Sequence, residues 1–355
     1  MSRHALKVLA ALVVALIVAL VAMEAGEENG SAGGDRLLPD LKNSINDITS
    51  VTVDYAGNEG SATLRRQDGA WVLVERGEYP ADVAELRKLL LAMADATILE
   101  QKTADPARYD RLGVQDPEIE DSEGIRVVAA GDGFSMGLIV GNSPNPGSRY
   151  VRRDGEAASW LVNTDPEPPA SVAGWLAREL FDVDASRLRA VTIAHSDGET
   201  VRVVKANASD AAFSVEGVPA GRELSYPTIG NPIGGALNDL QLEDVRPAET
   251  AEPAFTTTFE AFDGLLVTAR GYEAEDGLWL GFEATATEAP PAEAPAVTAG
   301  DESETAEPAP EEASPDPSAD AARINARTAG WQFRIPDYKV DQFSRRWSDL
   351  LNAAD

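Results

Sequence analysis

Short stretches in which apolar and polar residues alternate make up much of the chain beyond residue 46. A two-residue period places successive side chains on opposite faces of a strand, so it predicts strands that bury one face. Turns that contain glycine or aspartate separate the stretches, which favours an antiparallel meander. In the first half of the chain, the predicted strands span residues 47–55, 61–67, 70–75, 125–130, 134–141, 148–153 and 158–163.

A helical period replaces this alternation between residues 78 and 100, where apolar residues predict one buried stripe along an amphipathic helix. The stripe consists of Val83, Leu86, Leu90 and Met93. Asp82 is the expected N-cap, with Glu85 three residues later. Pro80, which follows Tyr79, fixes an extended approach to the helix. A second helix is predicted over residues 170–182, at the end of this half.

The second half of the chain repeats this order of elements. Its predicted strands and last helix span residues 188–199, 211–217, 255–262, 265–272, 278–286, 329–336 and 338–351. The Tyr79–Pro80 step recurs as Tyr226–Pro227, ahead of a shorter helix that starts at Asn231. Because the two steps occupy the same place in both halves, we interpret them as structural corners. The pattern predicts an α+β fold of two tandem repeats of an antiparallel-sheet unit with helices, at residues 37–185 and 186–355.

One segment of the second half, residues 286–322, has a different composition. It contains ten acidic residues and seven prolines, and it lacks basic and aromatic residues. Such a segment buries too little apolar surface to offset the entropy lost on ordering, so we predict a disordered insertion at a hairpin tip. Its role is that of a solvated spacer or, alternatively, of an acidic docking strand for a basic partner.

The beginning of the chain carries the clearest indication of location. An uninterrupted apolar run extends from Val8 to Met23, preceded by Arg3 and Lys7 and followed by Glu24. As a helix the run rises about 24 Å, and flanking residues bring it close to the roughly 30 Å hydrocarbon core of a bilayer. Positive charge before the run and acid after it predict a cytoplasmic N-terminus with the bulk of the chain outside.

This run divides the chain into an export segment and a periplasmic or extracellular part. We predict that residues 1–24 are a transmembrane anchor or a signal, and that residues 25–36 are a flexible linker. A cleaved signal is the alternative to a single-pass anchor in the inner membrane, although the residues around Ala22 and Ala25 fit a cleavage site poorly.

Composition excludes several classes of function. Sixty acidic residues against thirty basic ones give a formal net charge of −30, which argues against nucleic acid as a partner. The absence of cysteine removes thiol chemistry, and the only histidines are His4 and His195. His195 is expected to be exposed at a strand end, without a catalytic partner.

Candidate chemistry is correspondingly sparse. The glycine-containing segment 131–137 lacks the spacing of a phosphate loop and predicts a hairpin turn. Segment 230–235 precedes a helix, but no lysine or arginine lies beside it in sequence to complete an anion site. Paired carboxylates are too common in this chain to identify a glycosidase-type pair. We therefore assign no catalytic residue, no metal ligand and no cofactor, and the binding residues remain unassigned.

Four stretches resemble the bacterial domain of unknown function 4340 family: residues 37–53, 71–114, 150–162 and 175–193. The resemblance extends from about residue 37 to the C-terminus, apart from the acidic insertion. It implies a single-span protein with most of the chain outside the cytoplasm, encoded beside an ABC-type transporter and a gliding-motility-like auxiliary protein. The family has no established catalytic residues to transfer.

These observations favour a non-enzymatic, membrane-tethered periplasmic accessory or scaffold that binds protein partners, an ABC-type transporter or its auxiliary protein. A periplasmic ligand-binding protein is the first alternative. A carboxylate-based envelope hydrolase is the second, and it requires a close, buried acid pair in a groove.

Overall fold

The computed structural model describes residues 34–58, 60–287 and 316–352. The chain divides into two compact units. Unit 1 comprises the residues up to Glu75 together with Pro80–Trp175, and unit 2 comprises Arg76–Tyr79 together with the residues from Leu176 onward. The division after Trp175 falls earlier than the expected one after residue 185. Segment Arg76–Tyr79 belongs to unit 2 although unit 1 flanks it on both sides in sequence.

Unit 1 is built on an antiparallel sheet with the strand order β4-β3-β2-β1-β6-β7-β8-β9-β5. The strands are β1 (Ile48–Asp54), β2 (Ser61–Gln67), β3 (Ala70–Leu73), β4 (Tyr79–Pro80), β5 (Ile98–Gln101), β6 (Ile125–Gly131), β7 (Phe134–Val140), β8 (Arg149–Arg153) and β9 (Ser159–Val162). Val51 and Val53 of β1 are fully buried and lie opposite Leu64 of β2 and Val127 of β6, respectively, so the alternating pattern sets the register.

In the described part of unit 1, two helices accompany this sheet, α1 (Leu41–Ser44) and α2 (Val83–Asp95). Asp82 caps α2, because its carboxylate accepts hydrogen bonds from the backbone N–H groups of Ala84 and Glu85 at 2.8 and 3.1 Å. The buried face of α2 consists of Leu86, Leu89, Leu90, Met93 and Ala94. The predicted stripe is therefore correct except at Val83, which is 43% exposed.

Unit 2 contains an eight-stranded antiparallel sheet with the order β13-β12-β11-β16-β17-β18-β19-β15. Its strands are β11 (Leu188–His195), β12 (Thr200–Val204), β13 (Ser214–Glu216), β15 (Asp244–Pro247), β16 (Phe255–Ala261), β17 (Leu265–Ala274), β18 (Gly277–Ala286) and β19 (Trp331–Arg334). When β11 is matched to β1, every strand of this sheet has its counterpart at the same place in the sheet of unit 1. A separate pair joins β10 (Glu179–Phe181) to β14 (Leu240–Gln241).

The helices of unit 2 are α3 (Asn231–Gly234), α4 (Pro317–Thr328), α5 (Asp337–Phe343) and α6 (Trp347–Leu350). The short helix at Asn231 is confirmed. The single helix predicted over 338–351 is instead interrupted after Phe343, because Arg346 adopts an extended backbone that caps α6.

The helix predicted over residues 170–182 is wrong. A 3-10 helix spans Val172–Trp175, and Glu179–Phe181 forms strand β10. Tertiary contacts override the helical propensity here: the Trp175 indole N–H donates to the Tyr55 hydroxyl at 2.9 Å, and the Phe181 ring lies edge-on to Phe282 with centroids 5.3 Å apart.

The predicted disorder of segment 286–322 is wrong for residues 317–322, which begin helix α4. Asp316 caps this helix by accepting from the N–H groups of Ser318 and Ala319, and Pro317 occupies its first turn. Ile324 is fully buried and Asp320 pairs with Arg187 at 2.8 Å, so the helix is held in unit 2. The rest of the predicted insertion, residues 288–315, lies outside the described residues.

The predicted anchor at 1–24 and most of the linker also lie outside the described residues. The linker prediction is wrong for its last residues, because Arg36 forms a β-bridge with Thr97 and the Asp35 carbonyl accepts from the Ile98 N–H at 2.9 Å. Within residues 34–58, 60–287 and 316–352, no helix combines the length and the apolar character needed to span a membrane.

The C-terminal segment of unit 2 is held to the β11–β12 turn by Arg346 and Trp347. The Arg346 guanidinium donates to the carboxylates of Asp197 and Glu199, both at 2.8 Å, and the Trp347 N–H donates to Glu199 at 2.6 Å. The pKa of Asp197 is lowered, first by the hydrogen bond from the Glu199 N–H and then by Arg346.

We expect Asp82→Ala to lower the free energy of unfolding of unit 1 by about 1 kcal/mol, because two N–H groups of α2 lose their acceptor. Hydrogen exchange of residues 83–95 under increasing urea measures the loss. Asp40→Ala is the matched control, since Asp40 is the N-cap of α1 but accepts no capping hydrogen bond. Equal losses in both variants would contradict the assignment.

We expect the contact of Asp197 with the C-terminal segment to be sensitive to acid. The folded pKa of Asp197 lies below its unfolded value, so its stabilisation is complete above about pH 4 and disappears as the pH falls through the folded value. Unfolding of the full chain and of Asp197→Asn, compared from pH 7 to pH 2.5, measures this. The difference between the two proteins should shrink only on the acid side, and a constant difference would refute the expectation.

Candidate functional site

A groove of about 350 Å³ follows one side of α2 in unit 1. The helix contributes five residues at the spacing i, i+3, i+4, i+7 and i+8, which places them on one face. These residues are Val83, Leu86, Arg87, Leu90 and Leu91. The other walls are formed by Ile45, Asn46 and Ile48 at the start of β1, and by Arg66 and Trp71 of the β2–β3 hairpin. We call this surface the α2 groove.

The α2 groove has an apolar floor and an exposed apolar rim. Leu86 and Leu90 are buried and form the floor, whereas Val83 and Leu91 are 43% and 48% exposed. Leaving an aliphatic side chain half in water forgoes about 1 kcal/mol of burial free energy. Exposed apolar residues that line a concavity are typical of surfaces that bind another molecule.

The hairpin wall owes its geometry to a tight turn between β2 and β3. Asp68 and Gly69 both have positive φ, at 49° and 86°, as the mirror-image two-residue turns of hairpins require. Arg66 and Trp71 are consequently direct cross-strand partners. The hairpin therefore presents a guanidinium and an indole together on the wall opposite α2.

The charge of the α2 groove differs from that of the whole chain. Carboxylates outnumber cations two to one in the sequence, yet among the described residues the groove is lined by two arginines and by no carboxylate. Arg66 donates to the Asn46 carbonyl at 3.4 Å. The Arg87 guanidinium makes neither a hydrogen bond nor an ion pair with any residue that the structure describes. Both guanidinium groups thus have donors available for an acceptor in the groove.

A second cleft, of about 480 Å³, lies in unit 1 and contains Glu85 and Lys88 of α2. Its other acidic residues are Glu123, Asp165 and Glu167. Each carboxylate has a partner: Lys88 binds Glu85 at 3.1 Å, Asn142 donates to Glu123 at 3.1 Å, and Arg149 pairs with both Asp165 and Glu167. This acidic cleft is therefore a satisfied network of charges.

The described carboxylates of the acidic cleft lack the burial that is typical of a reactive acid. Its carboxylates are partly or largely exposed. Tyr55, also in its lining, has a pKa raised by burial to about 12, so its hydroxyl stays protonated at neutral pH. Among the described residues, no group of three or more acidic or histidine side chains is placed to hold a metal ion.

The two Tyr-Pro steps occupy different environments. Tyr79 is fully buried in unit 2 and lies edge-on to Trp331 and Phe333, with centroids 5.1 and 6.0 Å away, whereas Tyr226 is 48% exposed. The Tyr79 hydroxyl and the Arg327 Nε are both buried without a normal hydrogen bond. Burial raises the pKa of Tyr79, and the Arg327 guanidinium opposes that effect.

The remaining residues of the two steps lie next to helices. Pro80 ends β4 two residues before the Asp82 cap of α2, and Tyr226–Pro227 lies in the turn that leads to α3. Both steps thus precede a helix, but the two tyrosines do not form a shared site. Arg3, Lys7 and Glu24, the residues predicted to set membrane topology, lie outside the described residues.

The other candidates from the sequence also have structural roles. The prediction of an exposed His195 is wrong: the side chain is buried at the end of β11, with Nε2 3.2 Å from the Arg345 carbonyl oxygen and the ring 6.0 Å from that of Phe255. Segment 131–137 forms the predicted hairpin turn between β6 and β7. In segment 230–235, Gly234 packs so closely against the Phe213 ring that a Cβ atom there would lie 2.1 Å from it.

The residues that make up the α2 groove were not predicted as a site. Leu91 is the groove residue that the sequence indicates most clearly, because it is a large apolar residue that lies beside the buried stripe of α2 and not within it. The sequence does not indicate Arg66 and Trp71 as groove residues, because they come close to α2 only when the hairpin folds against the helix.

Comparison with known proteins gives one match. The family model described as domain of unknown function (DUF4340) matches residues 71–257, more than half of the 355-residue chain. The matched region includes Trp71 and the whole of α2, and it begins after Arg66. No curated protein and no solved structure matches the chain. On the extent of the family match, the chain belongs to the DUF4340 family.

Proposed function

We propose that this protein is a membrane-tethered accessory or scaffold on the outer side of the inner membrane, which acts by binding protein partners of an ABC-type transport system. The observation that carries the proposal is the α2 groove, which combines an exposed apolar rim with two available guanidinium groups. A concave, mixed surface of this kind suits a protein segment, because aliphatic side chains fill the floor and polar groups fix their orientation.

The tether is supported by the sequence. The apolar run Val8–Met23, with Arg3 and Lys7 before it and Glu24 after it, has the length and charge pattern of a single-pass anchor with a cytoplasmic N-terminus. Membership of the DUF4340 family implies the association with an ABC-type transporter or its auxiliary protein.

We also propose that the two units are tandem copies of one ancestral element. The support is the shared order of strands in the two sheets, together with a helix that lies between β3 and β5 in unit 1 and between β13 and β15 in unit 2. In this proposal the first copy carries the binding groove. The second copy has only the four-residue helix α3 at the corresponding place, so it lacks an equivalent groove wall.

Ligand binding is the second candidate function, and the acidic cleft favours it. Its carboxylates would attract a cationic ligand, and its volume of about 480 Å³ is within the range of small-molecule sites. The paired state of these carboxylates weakens this candidate, because a ligand must displace Lys88 or Arg149. A hydrolase is weaker still, because the acids of this cleft are not buried.

The topology is testable with fusions after Asp355. We expect alkaline phosphatase to be active there and green fluorescent protein to be dark, because only the former folds to an active form outside the cytoplasm. The fusion should also resist carbonate extraction from membranes. Deletion of residues 1–24 is the control and should reverse all three results. A fluorescent C-terminal fusion with the intact N-terminus would refute the proposed location.

Partner binding is testable by photocrosslinking in cells that naturally make the protein. A photoreactive phenylalanine analogue at Leu91 should capture a membrane transport component. The same substitution at Leu99, which is exposed on β5 and outside the groove, is the matched control and should not capture it. Equal capture at both positions, or capture of no transport component, would count against the function.

A further inference from the structure

We propose that the α2 groove recognises an acidic, apolar segment of the partner protein, whose aliphatic side chains fill the groove while its carboxylates bind Arg66 and Arg87. This inference deepens the proposed function and rests on it. It assigns a partner chemistry to the α2 groove, which the sequence pattern alone does not indicate as a binding surface.

The apolar part of the α2 groove sets the size of the occupant. The helical residues of the wall run from Val83 to Leu91, a rise of about 12 Å, which corresponds to about two helical turns of a facing segment. Only a few side chains fit into about 350 Å³. The occupant is therefore a short segment with two or three large apolar residues at helical spacing, as in other grooves that accept amphipathic helices.

The two arginines set the sign of the charge on the occupant. Arg66 is on the hairpin wall and Arg87 is on the helix wall, so a segment between them has a guanidinium on either side. Arginine binds carboxylates through two parallel hydrogen bonds, and Arg87 has all of its donors available within the described residues. Since no carboxylate among the described residues lines the groove, an incoming acid meets no competitor from this part of the chain.

The net charge of the chain, taken alone, would favour basic partners and not the acidic ones proposed here. A chain with a formal charge of −30 attracts basic peptides at long range. At physiological salt, however, interactions between exposed charges are screened over about 8 Å, so at contact distance the two arginines decide the sign. Selection of acidic segments by this protein is thus opposite to what its overall charge favours.

The observations favour a separate partner over the acidic segment 288–315 of the same chain. Residues 288–315 are acidic, but Val297 is their only large aliphatic residue, so they offer little to fill an apolar floor. A second copy of the chain is also disfavoured, because two chains that each carry a formal charge of −30 repel each other more strongly than this chain repels a short acidic segment.

Peptide selection tests the proposal without knowledge of the partner. The probe is a phage library of random 16-residue peptides, panned on the immobilised full chain at physiological salt. We expect the enriched peptides to combine leucine, isoleucine or phenylalanine at helical spacing with an excess of aspartate and glutamate. Panning on Arg87→Glu should instead enrich lysine and arginine.

Four variants then locate the bound peptide. Arg87→Glu and Leu91→Ser should each weaken binding of a selected synthetic peptide about tenfold, as expected for loss of a good charge pair or of a buried aliphatic contact. Arg111→Glu and Leu99→Ser are matched controls, since both residues are exposed in unit 1 and outside the groove, and they should change affinity less than about twofold.

The outcomes separate the partner chemistry from the function. Enrichment of basic peptides on the unaltered chain, or binding that Leu91→Ser weakens but Arg87→Glu does not, overturns acid recognition and leaves the groove as a binding surface. Insensitivity to both groove variants overturns the groove itself and also the proposed function. If deletion of residues 288–315 raises the affinity about tenfold, the chain occupies its own groove, and the proposal of a partner segment is overturned.

Discussion

In each unit, the exclusion of water from one face of a central strand organises everything else. Val51 and Val53 in β1, and Val191 and Ile193 in β11, are fully buried at alternate positions. Each of these strands pairs with an antiparallel neighbour on both sides. A shift of either pairing by one residue would turn the buried set toward solvent, so the register is strongly specified and the other strands align to it.

Helix α2 gives unit 1 two surfaces of different chemistry, the α2 groove and the acidic cleft. Its Asp82 cap fixes where the helix starts, and the start determines which residues face the sheet. With that rotation set, Leu86, Leu89 and Met93 are buried, Arg87 and Leu91 are on the groove side, and Glu85 and Lys88 are on the acidic side. The separation of Arg87 and Leu91 from the Glu85–Lys88 pair is thus a consequence of helical geometry and a single cap.

The sequence was sufficient for elements whose signal is local. The alternating pattern predicted most strands of both sheets, although it missed β4, β5, β12 and β15, and the capping motif at Asp82 predicted the start of α2. It was insufficient where partners distant in sequence decide the conformation. The stretch 170–182 has a helical period, but the contacts of Trp175 with Tyr55 and of Phe181 with Phe282 stabilise other geometries. Likewise, the Asp316 cap lies in a stretch so rich in acidic residues that it could not be recognised as a cap from composition. A local pattern also could not show that Arg66 lies across the groove from α2.

The nesting of Arg76–Tyr79 has a consequence for how the two units are inherited and separated. The Tyr79 ring packs edge-on against Trp331 and Phe333 of unit 2, and Arg76 pairs with Asp244 at 2.5 Å. Both Tyr79 and Arg76 are nevertheless flanked in sequence by unit 1. A single cut of the chain after Trp175 would therefore remove the buried Tyr79 side chain from the core of unit 2. Neither half can be exchanged by simple recombination at that point without leaving a cavity, which ties the evolution of the two units together.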